Sequence, residues 1–333
     1  MQVVEDLLAI ATTRWEEWFG TPTDKLLPAV FAGGPAHRDR AVLALLHPGE
    51  GAPTVVVKIG IGASEIRFVE KEYGALTRVS KAVAPAFSMT FPRPLLLHRS
   101  VDLAASFTTA VAGRRLATPA LSGPSAVVTP AVLRLFTRRA TTWSNELAAQ
   151  TAEASRDSTD IATLVDSFAT RFEPHTAHRQ ELDAFAGRIS RERIAWTSSW
   201  QHGDLTMPNV LVDGGRLRVL DWEHAGPDRQ PWLDAGTLPG MLAYLAKRQG
   251  AGATLVEAAR TVLSTRGRIG AVMASELKRA WHHPIPLGWG VTLAAMHKAL
   301  LQARNIEWPG WADLAVALLQ DRSLRSELSW MAP

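Results

Sequence analysis

The chain contains no cysteine. That absence excludes disulfides, thiolate metal sites and a cysteine nucleophile together. Long uncharged apolar runs are missing too. VTLAAMHKALLQA, among the longest candidates, breaks at His297 and Lys298, well short of the roughly 18 residues that cross a bilayer. The opening MQVVEDLLAIATTRWEEWFG carries Glu5 and Asp6 where a signal peptide would be basic, so a soluble, cytoplasmic protein without membrane attachment is expected. Lysine is scarce, with seven residues. The arginines are scattered, and no run of five basic residues occurs. A net charge of +4 therefore lacks the clustered stripe that nucleic-acid binding needs. No G-x-x-x-x-G-K-[ST] is present, which leaves a P-loop NTPase unsupported.

What is present is a core of ordinary size. The 333 residues are 47% apolar and 20% charged, enough for two domains. Residues 2–19 have helical spacing. Three short apolar runs follow (Leu26–Phe31, Ala41–Leu46 and Thr54–Ile59), separated by Gly33-Gly34-Pro35 and His47-Pro48-Gly49, the pattern of an antiparallel meander. The spacing predicts a helix over 64–80 and strands near 94–98 and 103–111. Beyond Gly113 the chain reads as helical from about 130 to 195 and again from Trp232 onward. Strands segregated from helices predict an α+β chain in two lobes, residues 1–112 and 113–333.

Residues 200–221 interrupt the helices. Asp213-Gly214-Gly215 between Asn209–Val212 and Arg216–Leu220 is a hairpin signal, because such turns need φ > 0. Folding about Gly214 and Gly215 sets Asn209 opposite Leu220 or Asp221, with Asp204 five residues upstream. One carboxylate and one amide suit Mg²⁺ against phosphate oxygens, and a second carboxylate stands ready to accept a hydroxyl proton. The spacing Asp204-x4-Asn209 also matches the kinase catalytic loop H-R-D-x-x-x-x-N. Gly203 stands where that loop has Arg, which points away from a phosphorylation-regulated protein kinase. Lys58 ends Val55-Val56-Val57-Lys58, a strand pattern like kinase V-A-I-K, and few other lysines compete for a phosphate role.

His202-Gly203-Asp204-Leu205-Thr206-Met207-Pro208-Asn209, the hairpin and Asp221-Trp222-Glu223 together resemble the aminoglycoside phosphotransferase and choline kinase family, within the bilobal protein-kinase-like fold. The resemblance implies ATP (or GTP) and Mg²⁺ as cofactors and a small-molecule hydroxyl acceptor. It implies Asp204 as catalytic base, His202 as the brace of its loop, Asn209 and Asp221 as metal ligands, and Asp234 as a buried anchor of the loop backbone. Glu72, four residues before Leu76, resembles the family's partner for Lys58, with Glu70 as the alternative. Adenine is expected at the linker Thr109, Ala110 and Val111. Gly33 and Gly34 lie where a phosphate-covering loop belongs, although the segment is not G-x-G-x-x-G and reads equally as a polar turn. Glu223, His224, Trp281 and Trp289 are candidates for the acceptor side. A monomer or weak dimer is expected. The second reading, a non-catalytic nucleotide-binding pseudokinase serving as a scaffold, is disfavoured because every catalytic residue type is present. The acceptor stays open among sugars, nucleosides, amino alcohols, macrolides and aminoglycosides.

Overall fold

Strand β3 shows how the first part of the chain is built. Along Val55–Ile61, Val55, Val57 and Ile59 are buried on one face while Lys58 and Gly60 take the other. In the computed structural model this strand is central in a five-stranded antiparallel sheet of order β1 (Leu27–Ala32), β2 (Arg40–Leu46), β3, β5 (Leu103–Thr109) and β4 (Pro94–Arg99). The structure describes residues 2–32, 39–115, 129–153, 155–156, 158–172, 176–192, 194–264, 266–302 and 310–321. The elements of this first part of the chain are α1 (Gln2–Phe19), β1, β2, β3, α2 (Gly62–Ala82), α3 (Pro85–Ser88), β4 and β5.

Alternation assigns each sheet face a helix. Leu7, Ala11 and Trp15 of α1 pack with Leu43, Leu45, Val55, Val57, Ile59 and Phe107. Burying each of the larger side chains contributes about 1.5–3 kcal/mol. On the opposite face, Ile66 and Val69 of α2 pack with Ala104. Gly60 allows that approach: a Cβ there would lie 2.6 Å from the Glu65 carbonyl oxygen. Lys58 thus shares its sheet face with α2, one strand step from the closest backbone contact.

The chain divides into two compact units, Met1–Gly113 with Arg218–His224, and Arg114–Leu217 with Ala225–Pro333. A single cut does not describe it, because the segment around Asp221 returns to the first unit. Trp222 anchors that segment. It is fully buried, its ring lies 4.8 Å from Phe91, and its backbone N–H donates to Glu72 Oε1.

The second unit is mainly helical. Its elements are β6 (Arg114–Arg115), α4 (Pro130–Gln150), β7 (Ser155–Arg156), α5 (Ser158–Phe172), α6 (Thr176–Glu192), β8 (Trp196–Thr197), β9 (Ser199–Gln201), β10 (Val210–Asp213), β11 (Arg216–Val219, straddling the division), β12 (Gly226–Arg229), α7 (Leu233–Arg248), α8 (Leu255–Leu263), α9 (Arg268–Ala280), α10 (Leu287–Gln302) and α11 (Trp311–Gln320). The expected turn joins β10 to β11, with Gly214 and Gly215 at φ 52° and 81°. The two-residue strands β6, β7 and β8 have no counterpart in the sequence reading; they are too short for any periodicity. β6 pairs with β10, Arg115 opposite Leu211. Helix α10 is apolar on nearly all sides and buried, as a central helix should be. Among the described residues no helix is long and apolar enough to cross a membrane.

Candidate active site

In the first unit the site is built on Lys58. Its Nζ donates to Glu72 Oε1 and Oε2 at 2.7 and 2.8 Å and to Asp221 Oδ1 at 2.8 Å. Burial by itself would lower the Lys58 pKa, but the Glu72 and Asp221 carboxylates outweigh it and hold the ammonium above its ordinary value. Glu72, and not Glu70, is the partner; Glu70 pairs with Arg99 at 2.9 Å near the surface. Asp221 has φ 68°, the one non-glycine among the described residues with positive φ. That conformation costs an L-residue about 1–2 kcal/mol and falls on the residue expected to hold metal.

Two residues on, Glu223 does not stand alone as an acceptor-facing acid. Arg40 Nη1 donates to its Oε2 at 2.7 Å, and Arg40 Nε bonds Glu65 at the start of α2. His224 Nε2 lies 3.4 Å from Glu223 Oε1. Burial and then the charge of Asp221 push Glu223 up to about 7, against the pull of Arg40. The sequence reading missed Arg40; its position at the start of a strand gave no sign of a partner 183 residues away.

At the expected linker, Thr109 is the last residue of β5 and donates its N–H to the Arg93 carbonyl at 2.9 Å. Ala110 donates to the Thr54 carbonyl at 2.8 Å. The strand stops two residues short of the expected 111, and the Thr109 and Ala110 N–H groups, two of the three expected to meet a base, are bonded within the sheet region. Gly33 and Gly34 lie outside the described residues.

In the second unit the segment from His202 to Asn209 is held from below. Asp234, 1% exposed, accepts the backbone N–H of His202 at 2.7 Å and of Gly203 at 2.8 Å. Gln201 Oε1 accepts the Asp234 N–H at 3.1 Å. Gly203 takes φ 78°, which allows the turn between these two N–H groups and Asp204. His202 is fully buried, and its Nδ1 accepts the Asp204 N–H at 3.2 Å, so the ring proton sits on Nε2 when His202 is neutral. Asn209 Nδ2 donates to Asp204 Oδ2 at 2.8 Å and to the Asp204 carbonyl at 3.1 Å, which orients the Asn209 amide oxygen away from the carboxylate. Lys298 of α10 donates to Asp204 Oδ1 at 2.6 Å. This lysine was also missed. Its signal was visible as a lone cation within a buried apolar helix.

Trp289 is nearly buried and packs edge-on to Phe185 at 5.8 Å. Trp281 donates its indole N–H to Ile285 O at 2.8 Å, and its ring lies over Gly290. Both rings pack within the helical unit, and no described contact joins either to Asp204.

Asp221 in the first unit and Asn209 in the second each carry a hard oxygen of the kind Mg²⁺ takes, and among the described residues no cluster of three His, Asp or Glu forms a protein-only cage. Mg²⁺ usually takes one or two protein carboxylates and completes its shell with phosphate oxygens and water.

Beside Lys298, His297 is pushed down to about 3 by burial, Arg229 and Lys298. A histidine depressed below its ordinary value near 6.5 binds fewer protons folded than unfolded, so stability falls as pH drops from 6.5 toward 3. From pH 7 to 5 this one group is expected to remove about 1–2 kcal/mol. Urea unfolding at both pH values should show the loss in the wild type and a smaller one in His297→Phe. Equal losses in the two proteins contradict the assignment.

These two clusters, on a strand-rich unit followed by a mainly helical one, define a kinase-like protein. A family model described as the phosphotransferase enzyme family matches residues 36–259, and the chain belongs to that family, whose members are small-molecule kinases acting on hydroxyl groups. A choline/ethanolamine kinase family protein from Mesorhizobium loti shares the fold at 16% identity and TM-score 0.50, with 97% of each chain covered. Aminoglycoside phosphotransferase APH(3'')-Id from Streptomyces rimosus, solved with ADP and streptomycin, aligns at 14% identity and TM-score 0.47 over 88% of this chain and 97% of that one. A glucosamine kinase aligns at 15% identity and TM-score 0.43 over 88% and 80%. No curated protein matches the sequence significantly.

Proposed function

We propose that this chain transfers the γ-phosphoryl group of ATP, in the presence of Mg²⁺, to a hydroxyl of a small molecule, with Asp204 as proton acceptor. The observation that carries the reading is the Lys58 ammonium, held by both oxygens of Glu72 and by Asp221. A fixed cation beside a carboxylate of the metal-binding type is the charge set that phosphate oxygens require.

Phosphoryl transfer would draw on both clusters. Lys58 would bind the nucleotide's phosphates as a point charge, with Glu72 keeping it oriented. Asp221, in the first unit, and Asn209, in the second, would each offer an oxygen to Mg²⁺, which when bound supplies charge neutralisation for the phosphates. Asp204 would orient the acceptor hydroxyl and take its proton late in the transfer. His202 and Asp234 would keep the Asp204 backbone in place. The protein would act in the cytoplasm as a monomer or weak dimer, without nucleic acid or membrane.

The test is magnesium-dependent ATP consumption against a panel comprising an aminoglycoside, a macrolide, a hexosamine, a nucleoside and choline. Stimulation by one class, with a phosphorylated product of that compound, is the expected result. Tight nucleotide binding with no turnover on any member would favour the pseudokinase reading instead.

A further inference from the structure

Lys298 is a buried cation that the mechanism above does not use. It is 3% exposed, and its Nζ donates to Asp204 Oδ1 at 2.6 Å and to the Gly203 carbonyl at 3.3 Å. A charge on a buried apolar helix is costly unless paired. The segment from Gly203 to Asn209 contains no cation of its own. Lys298 therefore brings positive charge to the Asp204 carboxylate from 94 residues away.

The helix packing accounts for its position. Gly290, Ala294 and Lys298 follow one another at four-residue spacing along one stripe of α10. The first two meet α7 at Gly236, where a Cβ would lie 2.8 Å from both the Gly290 carbonyl oxygen and the Ala294 Cβ. Helix α7 also carries Asp234, which holds the backbone of His202 and Gly203. One helix thus anchors the Asp204 loop and seats the helix that delivers Lys298. The carboxylate is fixed at both ends, with Lys298 on Oδ1 and Asn209 on Oδ2.

We propose that Lys298 is a positioning residue for phosphoryl transfer, setting the Asp204 carboxylate toward the acceptor hydroxyl. This rests on the reading of Asp204 as proton acceptor. In that step the acceptor oxygen bonds to the γ-phosphorus, and the bond to the bridging oxygen breaks with its electron pair leaving on ADP. The hydroxyl proton passes to an Asp204 oxygen. Lys298 keeps its proton throughout and fixes the angle at which the carboxylate meets that hydroxyl.

The test is a double-mutant cycle of wild type, K298M, D204N and K298M/D204N. Magnesium-dependent ATP turnover is measured with water as acceptor and with the most active compound of the panel. K298M should lower kcat by about 100-fold and leave the KM for ATP within about twofold. K298R, which keeps the charge, should recover about tenfold of that loss. The double variant should be no slower than D204N alone, since Lys298 acts through Asp204. Wild-type kcat in K298M overturns the inference, and so does a double-variant loss equal to the product of the single losses. Wild-type turnover in D204N overturns the base reading and the inference with it, whereas an inactive D204N beside a fully active K298M removes the inference alone. Thermal unfolding checks each variant, and K298Q, with a shorter polar donor, replaces K298M if that protein does not fold.

Discussion

Asp204→Ala is expected to lower turnover by about 10²–10⁴-fold, the usual contribution of a positioned proton acceptor, with magnesium-dependent nucleotide affinity close to wild type. The split follows from where the residue sits. Asp204 is bonded by Asn209 and Lys298 in the second unit, while the Lys58 cluster in the first unit does not depend on it. Removing the carboxylate also leaves the Lys298 ammonium, 3% exposed, without its charged partner. A loss of about 3 kcal/mol in stability is expected, the low end for a broken buried pair because the Asp204 side chain is itself 23% exposed. D204N keeps the shape and much of the hydrogen bonding, so the two variants should differ in stability and agree in turnover. Steady-state kinetics with calorimetric nucleotide titration reads both quantities. Wild-type-like turnover in either protein would sink the assignment.

The second large effect is expected at Asp221. Asp221→Ala should weaken ATP binding at least about 100-fold in magnesium and hardly at all in excess chelator. On the proposed function Asp221 would have two roles of opposite sign toward a nucleotide. It would supply a hard oxygen for the metal, and it holds the Lys58 charge at 2.8 Å. Its loss removes the first and releases the second, so metal-free affinity should stay level or rise slightly while the magnesium-dependent gain disappears. Calorimetric titration of ATP with and without magnesium separates the two. An unchanged affinity in magnesium would falsify the ligand role. The backbone sharpens the prediction: at φ 68° alanine is less at ease than aspartate, so Asp221→Asn is the cleaner variant.

The two clusters were legible in the sequence to different degrees. Lys58 and Glu72 lie fourteen residues apart on a strand and the helix that follows it, so local periodicity alone fixes their faces. The hairpin is equally local; Gly214 and Gly215 admit the positive φ that a two-residue turn demands. Asp204 and Asn209 are five residues apart in one loop. Nothing in Thr108–Val111 marks where β5 stops, so the strand read through Val111 ends at Thr109 in the structure. Arg40 with Glu223 and Lys298 with Asp204 were invisible as pairs, being 183 and 94 residues apart. Trp281 and Trp289 were only candidates for the acceptor side, because composition cannot tell a packed indole from a presented one; the structure shows the packing contacts of both.

By itself, the sequence determined the local chemistry of this protein: the loop from His202 to Asn209, the turn about Gly214, the strand that carries Lys58, and the helix that follows it. Each is set by φ preferences and side-chain period over a few residues, which no distant contact need supply. Tertiary structure alone decided that Asp221 and Trp222 return to the first unit and that Arg40 engages Glu223. It alone brought Lys298 from a buried apolar helix to the Asp204 carboxylate. Those pairings depend on how helices and strands far apart in the chain pack, through close approaches such as that of Gly236 in α7 against α10, and a charge in a buried helix names no partner until that packing is complete.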